Sequence, residues 1–300
     1  MPELDEFVAT PIVRSATLLP LSAIVAVRNE ARNLPRCLES LREIGETYVV
    51  DSQSTDDTVE IARSFGAKVV QFHYRGGWPK KRQWAIDTLP FAYDWILLLD
   101  ADESLTPELV KEIKAAIQDP HCNGYQIALR IYFLGRELRH SGASFRKVAL
   151  FRRGKAHYEC RLQEQDASMA DMEIHEHVVV EGRTGYLKSP LLHHNVSSLS
   201  HYIRKHDAYS NWEANVWLNG TANELPPLLT GTQAQRRRWL RRKFFALPGS
   251  PLAYFLYKYV LRLGFLDGIP GLIYCCFQGI QFFHIKAKIY ELEHASEAER

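Results

Sequence analysis

The residues of this chain best placed to do chemistry are two carboxylates at the end of an apolar run, Trp95-Ile96-Leu97-Leu98-Leu99-Asp100-Ala101-Asp102-Glu103. In an extended chain, side chains at i and i+2 share a side, so Asp100 and Asp102 are expected to point together from a strand's carboxyl end. Hard oxygen ligands in that arrangement suit a divalent cation, which in turn suits a diphosphate. An acid-x-acid pair also arises at ordinary solvated strand ends, so the pair gains meaning only from what is brought beside it.

Three further segments supply that context. Leu21 to Val27 reads as a strand running into Arg28-Asn29-Glu30, followed by a helix with Leu34, Leu38 and Leu41 at helical spacing. Tyr48-Val49-Val50 runs into Asp51-Ser52-Gln53-Ser54-Thr55-Asp56-Asp57-Thr58, where Ser54 or Thr55 is expected to cap the next helix. Ala67 to Phe72 reads as a third strand, followed by a helix over Lys81 to Leu89; the acidic strand is the fourth. Thr106-Pro107-Glu108 opens one more helix, with cap, first-turn proline and early acid in their preferred places. Strands alternating with helices predict an α/β fold with a mostly parallel sheet, whose ligands bind outside the carboxyl ends of the strands. Glu30, Asp51, Asp100 and Asp102 all fall at those ends.

The combination of Asn29-Glu30, Val50-Asp51-Ser52-Gln53-Ser54-Thr55-Asp56-Asp57-Thr58 and Asp100-Ala101-Asp102-Glu103 resembles the family 2 glycosyltransferases of the GT-A fold. More narrowly, it is similar to the bacterial branch that adds sugars to lipopolysaccharide cores and related envelope glycans. The resemblance implies a GT-A, Rossmann-like catalytic domain, taken as 1–195; the remaining 196–300 is expected to be a helical C-terminal region, basic and membrane-associating. It implies that Glu30 and Asp51 contact the base and ribose of a nucleotide-sugar donor, and that Asp102, helped by Asp100, holds Mg²⁺ or Mn²⁺. Lys81 and Arg82, after the glycine-containing Tyr74-Arg75-Gly76-Gly77, stand where the family carries a basic segment over the donor, and would neutralise its diphosphate. Glu176 in His175-Glu176-His177 stands where the branch carries a His-Glu pair and is the expected base toward the acceptor hydroxyl; Asp166 and Asp171 are runners-up. His194 falls where some GT-A enzymes bring a third metal ligand.

Other readings are narrowed by the same residues. A zinc-protease helix would need a second histidine where Val179 stands, and no phosphate-binding G-x-x-x-x-G-K-[ST] loop is present. A sugar nucleotidyltransferase would want a glycine-rich loop after the first strand, which Val27-Arg28-Asn29-Glu30 does not offer. A non-catalytic, membrane-bound scaffold remains a third possibility, distinguished by whether nucleotide and metal bind.

Composition sets the remaining bounds. The 300 residues, 46% hydrophobic and 24% charged, are enough to bury a sizeable core, and a net charge of +2 argues against wholesale nucleic-acid binding. Five cysteines without metal-site spacing define neither a disulfide framework nor a zinc site. Met1 to Thr10 is acidic and has no long apolar stretch, so a cytoplasmic protein is expected.

Charge is unevenly spread, however. No acidic residue lies between Glu224 and Asp267, and Arg236 to Lys243 carries six cations in eight positions, followed by Phe244-Phe245 and the aromatic run Tyr254 to Tyr259. Gly268 to Ile285 has no Asp, Glu, Lys or Arg, but glycines, a proline and glutamines dilute it. Residues 244–285 are therefore expected to form amphipathic or shallowly inserted helices on the anionic inner leaflet of the cell membrane. The stretch His201 to Leu218, with Tyr202, Tyr209, Trp212 and Trp217, is expected to link the two regions within reach of the acceptor, a saccharide or lipid-linked molecule.

Overall fold

The computed structural model describes residues 18–142, 145–163, 171, 173, 176–195, 198–219, 227–230 and 233–298. Its first half is the expected β-α alternation: β1 (Leu19–Val27), α1 (Leu34–Glu39), β2 (Ile44–Asp51), α2 (Thr58–Ser64), β3 (Lys68–Gln71), α3 (Lys81–Thr88) and β4 (Trp95–Asp100). In β1 every residue except Pro20 is buried, the pattern of a strand covered on both faces. The spatial order β3-β2-β1-β4 is parallel throughout. The chain steps outward from β1 through β2 to β3 and returns to the other side of β1 at β4. That reversal is a topological switch point, and it opens a crevice outside the carboxyl ends of β1 and β4.

The second half makes the sheet mixed. After the two-residue β5 (Glu103–Ser104) and α4 (Pro107–Ala116) come β6 (Gly124–Phe133), β7 (Arg136–Glu137), β8 (Arg146–Arg152), β9 (Ala156–Tyr158), β10 (Val178–Val180), β11 (Thr184–Tyr186) and β12 (Leu191–Asn195). β8 joins β4 antiparallel, β6 follows, and β12 lies parallel to β6 while pairing antiparallel with β5. β9 and β10 form a separate ribbon. One sheet face packs α1, α2 and α4 through Leu34, Leu38, Ala62, Leu109 and Ile113, and the other packs α3 with Phe72, Phe91 and Tyr158. The expected α/β architecture, with a parallel first half, is thereby observed.

Local details separate the expected helix starts. Thr106 Oγ1 accepts from Leu109 N at 3.1 Å with Pro107 in the first turn, so α4 begins as its sequence predicts. α2 does not start at Ser54 or Thr55, because both are tied across to the loop after β1. Ser54 Oγ accepts from Asn29 N at 2.8 Å, and Thr55 N donates to Asn29 Oδ1 at 2.7 Å. Asn29 sits at φ 55°, a left-handed conformation that asparagine tolerates better than most residues.

Helices follow from residue 199: α5 (Leu199–Asn219), α6 (Gln233–Ala246), α7 (Ser250–Leu256), a π-helical turn over Tyr257–Leu261, a 3₁₀ turn over Gly264–Asp267, and α8 (Gly268–Ala298). They pack against the sheet domain. Tyr202 of α5 meets Phe133 of β6 edge-on at 5.4 Å. Asp267 is buried and accepts from Arg139 N, His140 N, Ser141 N and Ser141 Oγ at 2.7–3.3 Å, clamping the start of α8 to the loop after β7. Among the described residues no single helix is long and apolar enough to cross a membrane; Ser250–Leu261 and Gly264–His294 reach that composition only together, across a 71° bend.

Candidate active site

Strand β4 stops at Asp100, and a turn follows before β5. The rule that i and i+2 share a side therefore lapses at this point, and the two aspartates meet different partners. Asp100 is ion-paired with Arg82 and lies 3.5 Å from Lys147 Nζ. Burial alone would raise its carboxyl pKa, but Arg82 and then Lys147 outweigh that and hold it well below the usual carboxylate range. Asp102 turns the other way, to β12.

There the structure corrects one expectation. His193, not His194, faces Asp102: His193 Nδ1 lies 3.6 Å from Asp102 Oδ1 and 3.8 Å from Glu103 Oε1. Successive residues on a strand point to opposite faces, and the β12–β5 register sets His193 opposite Glu103. His194 stacks on Tyr132 with ring centroids 4.6 Å apart, and its backbone N–H donates to Asp102 O at 2.8 Å. Burial would lower the His193 imidazole pKa, but the Asp102 carboxylate and then Glu103 turn the net shift upward. Asp102 Oδ1 and His193 Nδ1 are both buried and make no hydrogen bond at normal distance, meeting each other only at ion-pair range. A divalent cation fits that donor pair. Among the described residues no set of three or more His, Cys, Asp or Glu is arranged to hold a metal, so the remaining ligands would come from a bound diphosphate or water.

Glu30 lies in the loop after β1. Its carboxylate accepts from Asn33 Nδ2 at 2.7 Å, and its pKa is raised, first by burial and further by Asp102 and Asp100 nearby. Asp51 is fully buried at the end of β2 and accepts from Ser54 N, Ser54 Oγ and Gln71 Nε2. Ser54, Asp56 and Thr58 prove to be stitches between loops: Ala31 N donates to Asp56, and Glu30 N to Thr58 Oγ1.

The basic segment is engaged with the protein's own acids. Lys80 Nζ lies 3.2 Å from Glu176 Oε2, Lys81 Nζ lies 3.1 Å from Asp171 Oδ2, and Arg82 contacts both Asp100 and Glu173. Lys81 Nζ also donates to Val27 O at 2.8 Å. Glu173 further accepts from the backbone of Arg82 and Gln83, so it caps α3, whose own sequence provides no cap and no first-turn acid. Three cations and a helix N-terminus thus draw in three carboxylates from about ninety residues downstream. The expectation that Lys81 and Arg82 lie open over a diphosphate is replaced by this buried network.

Glu176 belongs to the same network. Its side chain is fully buried, accepting from Lys80 Nζ and, at 3.0 Å, from Arg161 N. The carboxylate that the sequence makes the base toward the acceptor is thus enclosed between Lys80 and the Arg161 backbone. Burial pushes the Glu176 pKa up to about 7, with Lys80 opposing the shift. Of the runners-up, Asp171 is paired with Lys81, and Asp166 lies outside the described residues.

Three basic residues near the acids have no counterpart in the sequence reading. Lys147 of β8 donates to Glu103 Oε2 at 2.6 Å, and Lys80 pairs with Glu176. Lys205 of α5 is held protonated above the usual lysine range, first by Tyr209 and, against burial, by Asp102, Asp100 and Glu30. The helical region therefore sends a cation to the crevice that collects Glu30, Asp100 and Asp102. The arrangement has the charge pattern of a site for a metal-complexed, phosphate-containing ligand. Nothing in the local sequence singled out Lys205, which stands among Arg204, His206 and Asp207 on α5.

A family model described as glycosyl transferase family 2 matches residues 22–178. Over 93% of its length and 95% of the relative's, the chain is 29% identical to the lipopolysaccharide core biosynthesis glycosyltransferase LpsC of Rhizobium meliloti. It is 31% identical to an uncharacterized glycosyltransferase of Rickettsia felis, over 65% of this chain and 69% of that one. Among solved structures, glucosyl-3-phosphoglycerate synthase from Mycobacterium tuberculosis, in complex with Mn²⁺, UDP-glucose and phosphoglyceric acid, overlaps 37% of this chain and 43% of its own at 21% identity, with a TM-score of 0.32. An overlap of that size carries no argument about fold or substrate.

Proposed function

The chain belongs to glycosyltransferase family 2, and from that premise we propose that it moves a hexose from a UDP-linked sugar to a saccharide or lipid-linked acceptor of the lipopolysaccharide core or a related envelope glycan. The observation that carries the reading is the gathering of Glu30, Asp100, Asp102 and Lys205 outside the switch point between β1 and β4. The choice of acceptor draws on the likeness to LpsC, which runs through nearly the whole of both chains.

In this reading Glu30 and Asp51 accept hydrogen bonds from the base and ribose, Asp51 using the acceptor capacity left by Ser54 and Gln71. Lys205 meets the negative charge of the diphosphate. Asp102 and His193 are the residues that would hold Mn²⁺ or Mg²⁺, and such a cation supplies charge to a departing diphosphate. Glu176, with a pKa near the working pH, takes the proton of the acceptor hydroxyl as it displaces the nucleotide, and the anomeric configuration inverts in that single displacement. Lys80 positions the Glu176 carboxyl, and the Arg82–Glu173 contact holds α3 beside it.

The protein works at the cytoplasmic face of an anionic membrane. Leu252, Leu256, Val260, Leu261, Phe265, Leu266 and Ile269 are exposed on both sides of the bend between α7 and α8, Leu261 and Ile269 by about three-quarters of their surface (75% and 74%). An apolar ridge beside the exposed Arg236, Arg242 and Lys243 is the composition of a segment lying in a lipid headgroup layer. Arg238 does not belong to that face, because it is buried in a pair with Glu159 at 2.6 Å.

The experiment that tests the function is incubation with a panel of nucleotide-sugars and a lipopolysaccharide core acceptor, reading released nucleotide and acceptor mass. Release from one UDP-sugar, dependent on acceptor, is expected. No turnover of any nucleotide-sugar with any core acceptor would sink the reading.

A further inference from the structure

Helix α8 runs for 31 residues and is anchored to the protein along one side. Cys275, Phe282, Ile285 and Ile289 are buried, the last three in a cluster with Ala214 of α5 and Phe245 of α6. A different side carries Leu272, Cys276, Ile280, Phe283, Ala287 and Tyr290, all exposed except the half-buried Cys276. Phe283 and Tyr290 keep 60% and 64% of their surface open. We infer that this stripe is the seam of a homodimer, in which α8 lies antiparallel against α8 of a second copy of the chain, about a twofold axis at Ile280. The inference does not rest on the transferase reading.

Width is the first argument. Steps of three and four residues hold the six positions within about 80° of arc at ~3.6 residues per turn, over a length of about 27 Å. A helix face that covers a domain core is typically about 100° wide or more; a narrower stripe is the form that meets one facing helix. The core-covering face of α8 is already in use, so the stripe is additional to what the fold requires.

Charge is the second. No Asp, Glu, Lys or Arg falls on the stripe. The two lysines on this length of α8 are engaged within the chain: Lys286 donates to Leu247 O, and Lys288 to Asp207 and Ser210. A helix lying in lipid uses such cations to reach headgroups, and these are turned to brace α5 and the end of α6 instead.

Size matching is the third, and it selects both the partner and its direction. About an axis at Ile280, Leu272 of one helix meets Ala287 of the other, and Cys276 meets Phe283. Each large side chain thus faces a small one, and each contact occurs twice, as a self-complementary interface requires. A parallel pair in register would set Phe283 on Phe283 and Ala287 on Ala287, crowding one level and leaving a void at the next.

The test is sedimentation equilibrium of the full chain in lipid-free buffer over a wide range of concentration. The wild type is expected to reach twice the monomer mass. Ile280→Glu sets two carboxylates against each other at the axis. Like charges juxtaposed across an interface cost several kcal/mol, so self-association should weaken by about a hundredfold or more. Its thermal unfolding should match the wild type, because Ile280 faces solvent in the single chain. Direction is read by oxidative crosslinking: Phe283→Cys should give a disulfide-linked dimer through Cys276, and adding Cys276→Ser should abolish it. A wild type that stays monomeric at its highest soluble concentration, or an Ile280→Glu chain that dimerises as tightly as the wild type, overturns the inference. A crosslink that survives Cys276→Ser overturns the antiparallel seam. A monomeric wild type whose binding to anionic vesicles is lost in Ile280→Glu would overturn it in favour of lipid as the cover of the stripe.

Discussion

His193 Nδ1 and Asp102 Oδ1 face each other at 3.6 Å, both buried and neither with a hydrogen bond at normal distance. A buried polar atom left without a hydrogen bond costs about 1–3 kcal/mol, a cost that a proton on His193 facing Asp102 and Glu103, or a cation held by Asp102 and His193, would offset. In the proposed reading that pair stands where the diphosphate of the donor is held.

The neighbouring histidines separate cleanly in a test. His193→Gln should raise the Mn²⁺ concentration needed for half-maximal activity by about tenfold or more, the usual cost of an impaired metal site. His194→Gln should leave the Mn²⁺ requirement within about twofold, since His194 stacks on Tyr132 instead of facing Asp102. The reverse pattern would restore His194 as the ligand and remove the register argument.

A pH profile tests Glu176. Its pKa is raised from 4.5 to about 7 by burial, so it carries its proton at pH 6 and has lost it at pH 8. A base must be deprotonated, and turnover should therefore rise through about pH 7 and level off above it. Glu176→Gln should lower turnover by about 10²-fold, remove that limb of the profile and leave UDP affinity unchanged. A flat wild-type profile between pH 6 and 8 would assign the proton to another group.

Glu173 tests the clamp beneath the site. It accepts from the backbone at the start of α3 and pairs with Arg82, all within the protein interior. Neutralising Glu173 leaves Arg82 with Asp100 as its counter-charge and weakens the cap on α3, so Glu173→Gln should lower unfolding stability by about 3 kcal/mol in urea titration. A loss under about 1 kcal/mol would mean that Asp100 alone satisfies Arg82.

Membrane attachment should depend on the bend between α7 and α8. Replacing Leu261, Phe265, Leu266 and Ile269 with Ser should release the protein from anionic vesicles even at low salt. Replacing Arg236, Arg242 and Lys243 with Gln should reduce binding only in part, and high salt should mimic that reduction. Undiminished sedimentation of the serine variant with vesicles would move the contact elsewhere.

The alternation of strands and helices, the switch point and the start of α4 were legible in the sequence, because each depends on periodicity or on residues within one turn. Glu30 and Asp102 were legible as strand-end acids. The pairing of Lys80, Lys81 and Arg82 with Glu176, Asp171 and Glu173 was not, since it spans about ninety residues and no local pattern reports which acid meets which cation. The choice between His193 and His194 turned on a one-residue register, which reverses the face of every side chain on a strand. Ser54, Asp56 and Thr58 drew attention as part of a motif, and their side chains prove to hold two loops together.

The most direct test of the donor site is titration of UDP into the wild-type chain and into Asp102→Asn, each with and without Mn²⁺. The account predicts that UDP binds the wild type, that Mn²⁺ tightens it by tenfold or more, and that Asp102→Asn, still folded, loses that enhancement. Failure of UDP to bind, or an Mn²⁺ enhancement in Asp102→Asn equal to that of the wild type, would contradict it.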